Sequence, residues 1–206
     1  MSNDANALMM AMMEPPAGME DEFNDWYDME HLPERVAIPG FVSGTRWVCL
    51  HGYPRWLATY FLSHAGVLHE PAYVKVGYGN ASPWTQRVTA RTIGRLRVVG
   101  ERIGAGAATP VTDDGTARLL VARYPAAGAI QEVALAAAIE QATARLAERP
   151  AVRLFRGVEA STGGVWLLAG FSQAVGAEAM MAALGKVGGI GATHFNLYMP
   201  HWKSLG

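Results

Sequence analysis

The chain has 206 residues, half of them hydrophobic, a formal net charge of −1 and one cysteine, Cys49. That apolar content supports a packed interior and excludes a disordered chain, and the near-zero charge excludes a general affinity for nucleic acid or an anionic membrane. A single cysteine excludes an intrachain disulfide framework and suits a reducing compartment. No apolar run approaches the roughly 20 residues that span a bilayer, so a cytoplasmic protein is expected. Residues 7–13 form a short apolar run stopped by Glu14-Pro15-Pro16. They lack a basic leader and read as a buried strand rather than a signal peptide. Residues 19–36 set Phe23, Trp26, Tyr27 and Glu30 at three- and four-residue spacing, which predicts a helix. Pro33 and then Pro39-Gly40 are expected to end it, because proline lacks an N–H and disfavours helix before it. Residues 41–50 and 56–63 are strand-like and joined by a turn over 51–54; Cys49 alternates with Trp47 there and reads as a small buried hydrophobe. A weaker helix over 66–77 and a strand over 87–102 complete the order β-α-β-β-α-β. The series Arg87, Arg91, Arg95, Arg97 and Arg102 reads as charge protecting a sheet edge.

After a Gly-, Ala-, Thr- and Asp-rich linker over 104–115, the order repeats. Strands are predicted over 117–124, 151–159, 165–172 and 192–199, with helices over 130–148 and 176–184. Trp56-Leu57, Phe61 and Gly66 recur as Trp166-Leu167, Phe171 and Gly176 at a constant offset, which supports an internal repeat. Each unit, 1–103 and 104–206, reads as an α+β ferredoxin-like half with both helices on one sheet face. The bare faces then pack together, giving an intrachain dimeric α/β barrel with a central space for a small ligand. The helix over 130–148 offers Leu135, Ile139 and Leu146 among alanines, with no aromatic and no histidine, so the second half reads as mainly structural.

Phe23, Trp26-Tyr27, Glu30-His31 and Pro33, followed by Pro39-Gly40-Phe41 and Arg46-Trp47, resemble the EthD-like branch of the dimeric α/β-barrel superfamily. The resemblance implies this fold. It allows muconolactone-type isomerases, cofactor-free decarboxylases and cyclases, and haem-handling enzymes as relatives, and the isomerases share a histidine shortly before the Pro-Gly turn.

His31 follows Tyr27 by four residues, so the two share a helix face. Its imidazole suits acid/base work near neutral pH, favoured by a helix C-terminus and by Asp28, Glu30 and Glu34 nearby. The bland alternative is a helix-end histidine that caps a carbonyl. Tyr27 and Glu30 read as its assistants. Arg46 interrupts an apolar strand and needs an anionic partner, either Glu30 or a substrate carboxylate. Trp26 anchors the helix, and Trp56 and Tyr60 share one strand face as walls of the same site. The expected function is proton transfer without a cofactor, of isomerase, decarboxylase or cyclase type, on a small organic acid or lactone. Alternatives are a non-catalytic small-ligand-binding barrel or a haem-linked monooxygenase. No motif of metal-ligand spacing is present, and a homodimer is allowed.

Overall fold

The computed structural model describes residues 5–104 and 115–201. In chain order the first half is β1 (Ala7–Glu14), α1 (Glu20–Trp26), α2 (Leu32–Val36), β2 (Phe41–His51), β3 (Trp56–Leu62), α3 (Pro71–Val76), α4 (Pro83–Thr89) and β4 (Ile93–Arg102). The second half is β5 (Arg118–Tyr124), α5 (Ala129–Ala144), β6 (Ala151–Gly157), β7 (Val165–Phe171), α6 (Ala177–Leu184), a minor hairpin β8 (Lys186–Val187) and β9 (Ile190–Gly191), and β10 (His194–Pro200). Eight strands close into an antiparallel barrel in the order β1-β3-β2-β10-β5-β7-β6-β4. Each half contributes four neighbouring strands, and the halves meet at two seams, β2 with β10 and β4 with β6. This is the expected dimeric α/β barrel of two ferredoxin-like repeats. No helix among the described residues is long and apolar enough to cross a membrane.

Three apolar layers result. Strand side chains alternate between faces, so each strand feeds the barrel interior and an outer helix layer at once. Strands β3 and β7 are buried throughout because they are covered on both faces. The interior is filled by Leu8, Met10, Trp47, Phe61, Phe155, Trp166, Leu168 and Tyr198, among others. The central ligand space expected from the sequence is therefore a packed core. Trp26, Tyr27, Trp56 and Tyr60 lie instead in the outer layer of the first half, between helices and sheet.

The register of the repeat also differs from the sequence reading. Trp56 faces the helix layer, whereas Trp166 faces the barrel interior; Phe61 is interior and Phe171 is outer. A one-residue slip sends every side chain of a strand to the opposite face, so the matched aromatics are not equivalent. The ladders pair Tyr60 with Met9 and Gly44, and Ala169 with Leu120 and Val152. By the same count Val165 corresponds to Trp56 and Leu154 to Arg46.

Two other expectations change. Residues 87–89 belong to α4, not to a strand, and β4 starts at Ile93. Ser82-Pro83 was the signal: Ser82 Oγ accepts from the Thr85 N–H as an N-cap and proline occupies the first turn. Strand β4 is also no edge, since it pairs with β1 and, over Gly100–Arg102, with β6. Residues 105–114 of the expected linker lie outside the described residues.

Candidate functional site

The first helix continues through Pro33 to Val36. Between α1 and α2 the turn Tyr27–His31 widens to a π-helical one, in which the Leu32 N–H donates to the Tyr27 carbonyl. A proline inside an α-helix lacks a donor and crowds the carbonyl four residues back; the wider turn immediately before Pro33 accommodates it. His31 therefore sits mid-helix, and the helix-end argument for a protonated or capping imidazole does not hold.

The π turn aims Tyr27 and His31 into the outer layer. The His31 ring lies 4.4 Å from the Trp26 ring at 32° and 5.3 Å from the Tyr27 ring, edge-on. Part of His31 remains accessible, but its Nδ1 is fully enclosed and has no hydrogen-bond partner. Burial, assisted by the Arg35 charge, lowers its pKa to about 3, so the imidazole is neutral at physiological pH. Tyr27 and Tyr60 face one another across the layer. Burial raises Tyr27 to about 12 against the opposing pull of Arg46, the Tyr60 hydroxyl and Arg35, and raises Tyr60 well above the ordinary phenol range. Neither hydroxyl completes a hydrogen bond of regular geometry.

Arg46 projects from β2 into this layer and is 3% exposed. Its Nη1 donates to Asp28 Oδ1 at 2.9 Å and its Nη2 to Asn24 Oδ1 at 2.7 Å. Its guanidinium also lies over the rings of Tyr27 at 4.6 Å and Trp56 at 4.9 Å. The carboxylate partner is thus Asp28, one helical turn from Asn24, and not Glu30. Glu30 Oε1 instead accepts from Ser82 Oγ at 2.5 Å and Thr85 Oγ1 at 3.0 Å, while Trp26 Nε1 donates to Thr85 Oγ1 at 2.9 Å. Glu30 and Trp26 therefore clamp α4 onto the first helix. A second buried arginine, Arg35, donates from Nη2 to the Val76 carbonyl at 2.9 Å and lies over the Tyr73 ring at 5.2 Å, with Nη1 unpartnered.

Sequence reasoning missed Arg35, Asn24 and the pairing of Asp28 with Arg46, and it gave no role to His201. The last follows β10, which the β2 seam carries to this site: its N–H donates to the Arg46 carbonyl at 2.9 Å. Its imidazole Nε2 lies 3.7 Å from Asp28 Oδ2, and its ring meets Trp56 edge-on at 4.9 Å. No local pattern links residues this far apart in the chain; only the seam joins them.

Of the seven buried side-chain polar atoms without a partner among the described residues, six lie in the first half: Tyr27 Oη, His31 Nδ1, Arg35 Nη1, Trp56 Nε1, Tyr60 Oη and Trp84 Nε1. Native interiors leave few such atoms, and a cluster of them marks a place where something else supplies the partner. Five of the six, His31 Nδ1 apart, carry a hydrogen to donate, and two arginine charges flank them. Such donors and charges suit oxygen acceptors. No group of three or more His, Cys, Asp or Glu side chains among the described residues could hold a metal ion.

The sequence matches no protein-family model and no curated protein. Solved structures do match. An anthrone oxidase-like protein is 15% identical, with 98% of this chain and 94% of that chain covered and a TM-score of 0.62. A chlorite dismutase variant from Candidatus Nitrospira defluvii is 10% identical, with 97% and 92% covered and a TM-score of 0.62. An encapsulated DyP-type peroxidase from Mycobacterium smegmatis is 11% identical, with 95% and 93% covered and a TM-score of 0.54. At these identities the likeness establishes the fold.

Proposed function

We propose that the outer layer of the first half binds a small, flat, oxygen-bearing aromatic molecule and removes a proton from it as the opening step of an oxidation. The carrying observation is the six unpartnered buried polar atoms of the first half, in a layer that also buries Arg46 and Arg35. A carbonyl or phenol oxygen would accept from the Tyr27 and Tyr60 hydroxyls, and the negative charge it gains on proton loss would be held by the two guanidiniums. The isomerase chemistry suggested by the EthD-like resemblance shares this first step. Oxidation is preferred because the neighbours in fold are named as an oxidase-like protein, a chlorite dismutase and a peroxidase. In this reading Tyr27, Tyr60, Trp56 and Arg46 bind, His31 contributes its enclosed Nδ1, and Glu30 and Trp26 position the helix.

The same fold neighbours favour a haem-linked reading as the second possibility. His31 does not fit as the axial ligand of one. An axial histidine needs its other ring nitrogen backed by a carboxylate or carbonyl, and it must tolerate a metal cation in front of it. His31 Nδ1 has no such partner, and the Arg35 charge lies beside the ring.

Anthrone, a tricyclic ketone with an acidic methylene, is the probe. With dioxygen it gives anthraquinone and water, one dioxygen consumed and one water released per anthrone. Purified protein is expected to accelerate anthraquinone formation, followed by absorbance and oxygen uptake, and Tyr60→Phe is expected to slow it at least tenfold. Haem titration is expected to give no Soret band. A Soret band that disappears in His31→Gln, with anthrone untouched, would replace this reading by the haem-linked one.

A further inference from the structure

We infer that Arg35 anchors a carboxylate of the bound molecule, so that the natural ligand is an aromatic acid rather than a neutral ketone. This rests on the ligand-binding reading above and names the chemical class of its ligand; anthrone, which lacks the acid, is then a minimal substrate. The two arginines of the layer differ in what answers their charge. Arg46 is matched within the protein, by Asp28 at Nη1 and Asn24 at Nη2. Arg35 is equally buried, 4% exposed, yet its Nη2 donates to a neutral group, the Val76 carbonyl. The one carboxylate within 4 Å of it among the described residues is that of Glu34, 3.9 Å from Nη2. Glu34 is the next residue along the helix, and its side chain is 31% exposed, so water weakens the attraction. Nη1 is fully enclosed and has no partner. A buried charge without a close counter-charge is costly, and a bound anion removes that cost.

The surroundings of Arg35 suit a carboxylate. Its guanidinium lies over the Tyr73 ring at 5.2 Å; Tyr73 stacks on Phe41 at 6.0 Å, and Phe41 meets the Tyr60 ring edge-on at 5.7 Å. A ring on the flat face of a guanidinium leaves its edge, where the Nη1 hydrogens point, for an oxygen acceptor. The Arg35 charge also acts on the phenols of Tyr27 and Tyr60, whose hydroxyls are unpartnered, so both lie within the span of one small molecule. The carboxylate takes Nη1, and the hydroxyls remain for the carbonyl or phenol oxygen already assigned to them. Arg35 offers one unmatched charge, which fits a singly charged carboxylate better than a phosphate ester. A phenol, with an ordinary pKa of about 10, carries no charge at pH 7 and would leave Arg35 unanswered.

The test titrates the protein at pH 7 with anthraquinone-2-carboxylate and with its neutral counterpart, anthraquinone-2-carboxamide. Quenching of tryptophan fluorescence reports binding, since Trp26, Trp56 and Trp84 belong to the layer. The parent is expected to bind the carboxylate at least roughly tenfold more tightly than the amide. Arg35→Met, checked for folding by thermal melting, is expected to bind the two alike, and Arg35→Lys to keep a reduced preference. A parent that binds both alike, or neither, overturns the inference, and so does a folded Arg35→Met protein that keeps the parental preference. The Nε–H resonance of Arg35, assigned by its absence in Arg35→Lys, decides the matter without Arg35→Met. It should shift with the carboxylate and not with the amide, and an unmoved resonance overturns the inference. A parent that oxidises anthrone without preferring the carboxylate loses the inference and keeps the proton-transfer reading. One that shows the Arg35-dependent preference and leaves anthrone untouched keeps the inference and loses that reading.

Discussion

The two outer layers of this barrel share a backbone plan and differ in chemistry. Where the first layer has Arg46, Trp56 and Tyr60, the second has Leu154, Val165 and Ala169 at the corresponding ladder positions. Where the first helix offers Tyr27 and His31, α5 offers Leu135, Ala136 and Ile139. The one tyrosine hydroxyl buried in the second layer, that of Tyr124, donates to the Leu184 carbonyl. The second layer is thus what this fold needs for stability alone: aliphatic packing with its polar atoms satisfied. The excess in the first layer, two buried arginines and several unpartnered donors, is unnecessary for packing and is the basis for proposing the site there.

The largest contrast concerns acid. Folded His31 stays neutral down to about pH 3, whereas an unfolded imidazole binds a proton below its ordinary 6.5. The unfolded state therefore binds more protons in that window, and stability, complete above pH 6.5, is lost as pH falls toward 3. The shift corresponds to an upper bound of about 5 kcal/mol. Urea unfolding at stepped pH should show this slope flattened in His31→Gln. His194, lowered to about 4 by burial and Arg123, should give a smaller change in His194→Gln. An unchanged slope in His31→Gln would show that its burial is not what acid opposes.

Core truncation comes next. Leu167 is fully buried in the second layer, and Leu167→Ala should cost about 2–5 kcal/mol in urea unfolding while leaving anthrone turnover per folded molecule intact. A matching loss of turnover would place function in both layers. Giving the first layer its counterpart residue, Arg46→Leu, should cost about 2–3 kcal/mol, because Asp28 and Asn24 lose their charge-assisted bonds. Here turnover should fall at least 100-fold, and adding Asp28→Asn should restore part of the stability and none of the activity.

The fold was legible because its signals are local: apolar alternation, helical spacing and turn residues recur in the same order twice. The repeat register was misread because Trp and Phe recur at a spacing that looks equivalent while the strand alternation places them on opposite faces. Helix α4 was hidden by Val88 and the arginines around it, which resemble a strand when the Ser82-Pro83 cap is overlooked. Within the candidate site, Tyr27, His31, Arg46, Trp56 and Tyr60 were legible as types, and the structure gathers them in one layer. The location was not, since it depends on which sheet face is covered by helices and which closes the barrel. Asp28 as partner of Arg46, and His201 beside it, depend on contacts across the fold that no sequence spacing encodes.

The smallest effect is the most direct test. Removing a satisfied buried hydroxyl costs a hydrogen bond, whereas removing an unpartnered one relieves a desolvated group. Tyr124→Phe and Tyr60→Phe delete the same atom from equivalent layers, one donating to Leu184 and one without a partner. Paired urea unfolding at pH 7 should show Tyr124→Phe losing about 1 kcal/mol and Tyr60→Phe unchanged or gaining up to about 1 kcal/mol, with only the latter losing turnover. Equal losses of stability in both variants would mean that the Tyr60 hydroxyl is already satisfied within the protein, and would contradict a ligand site in the first layer.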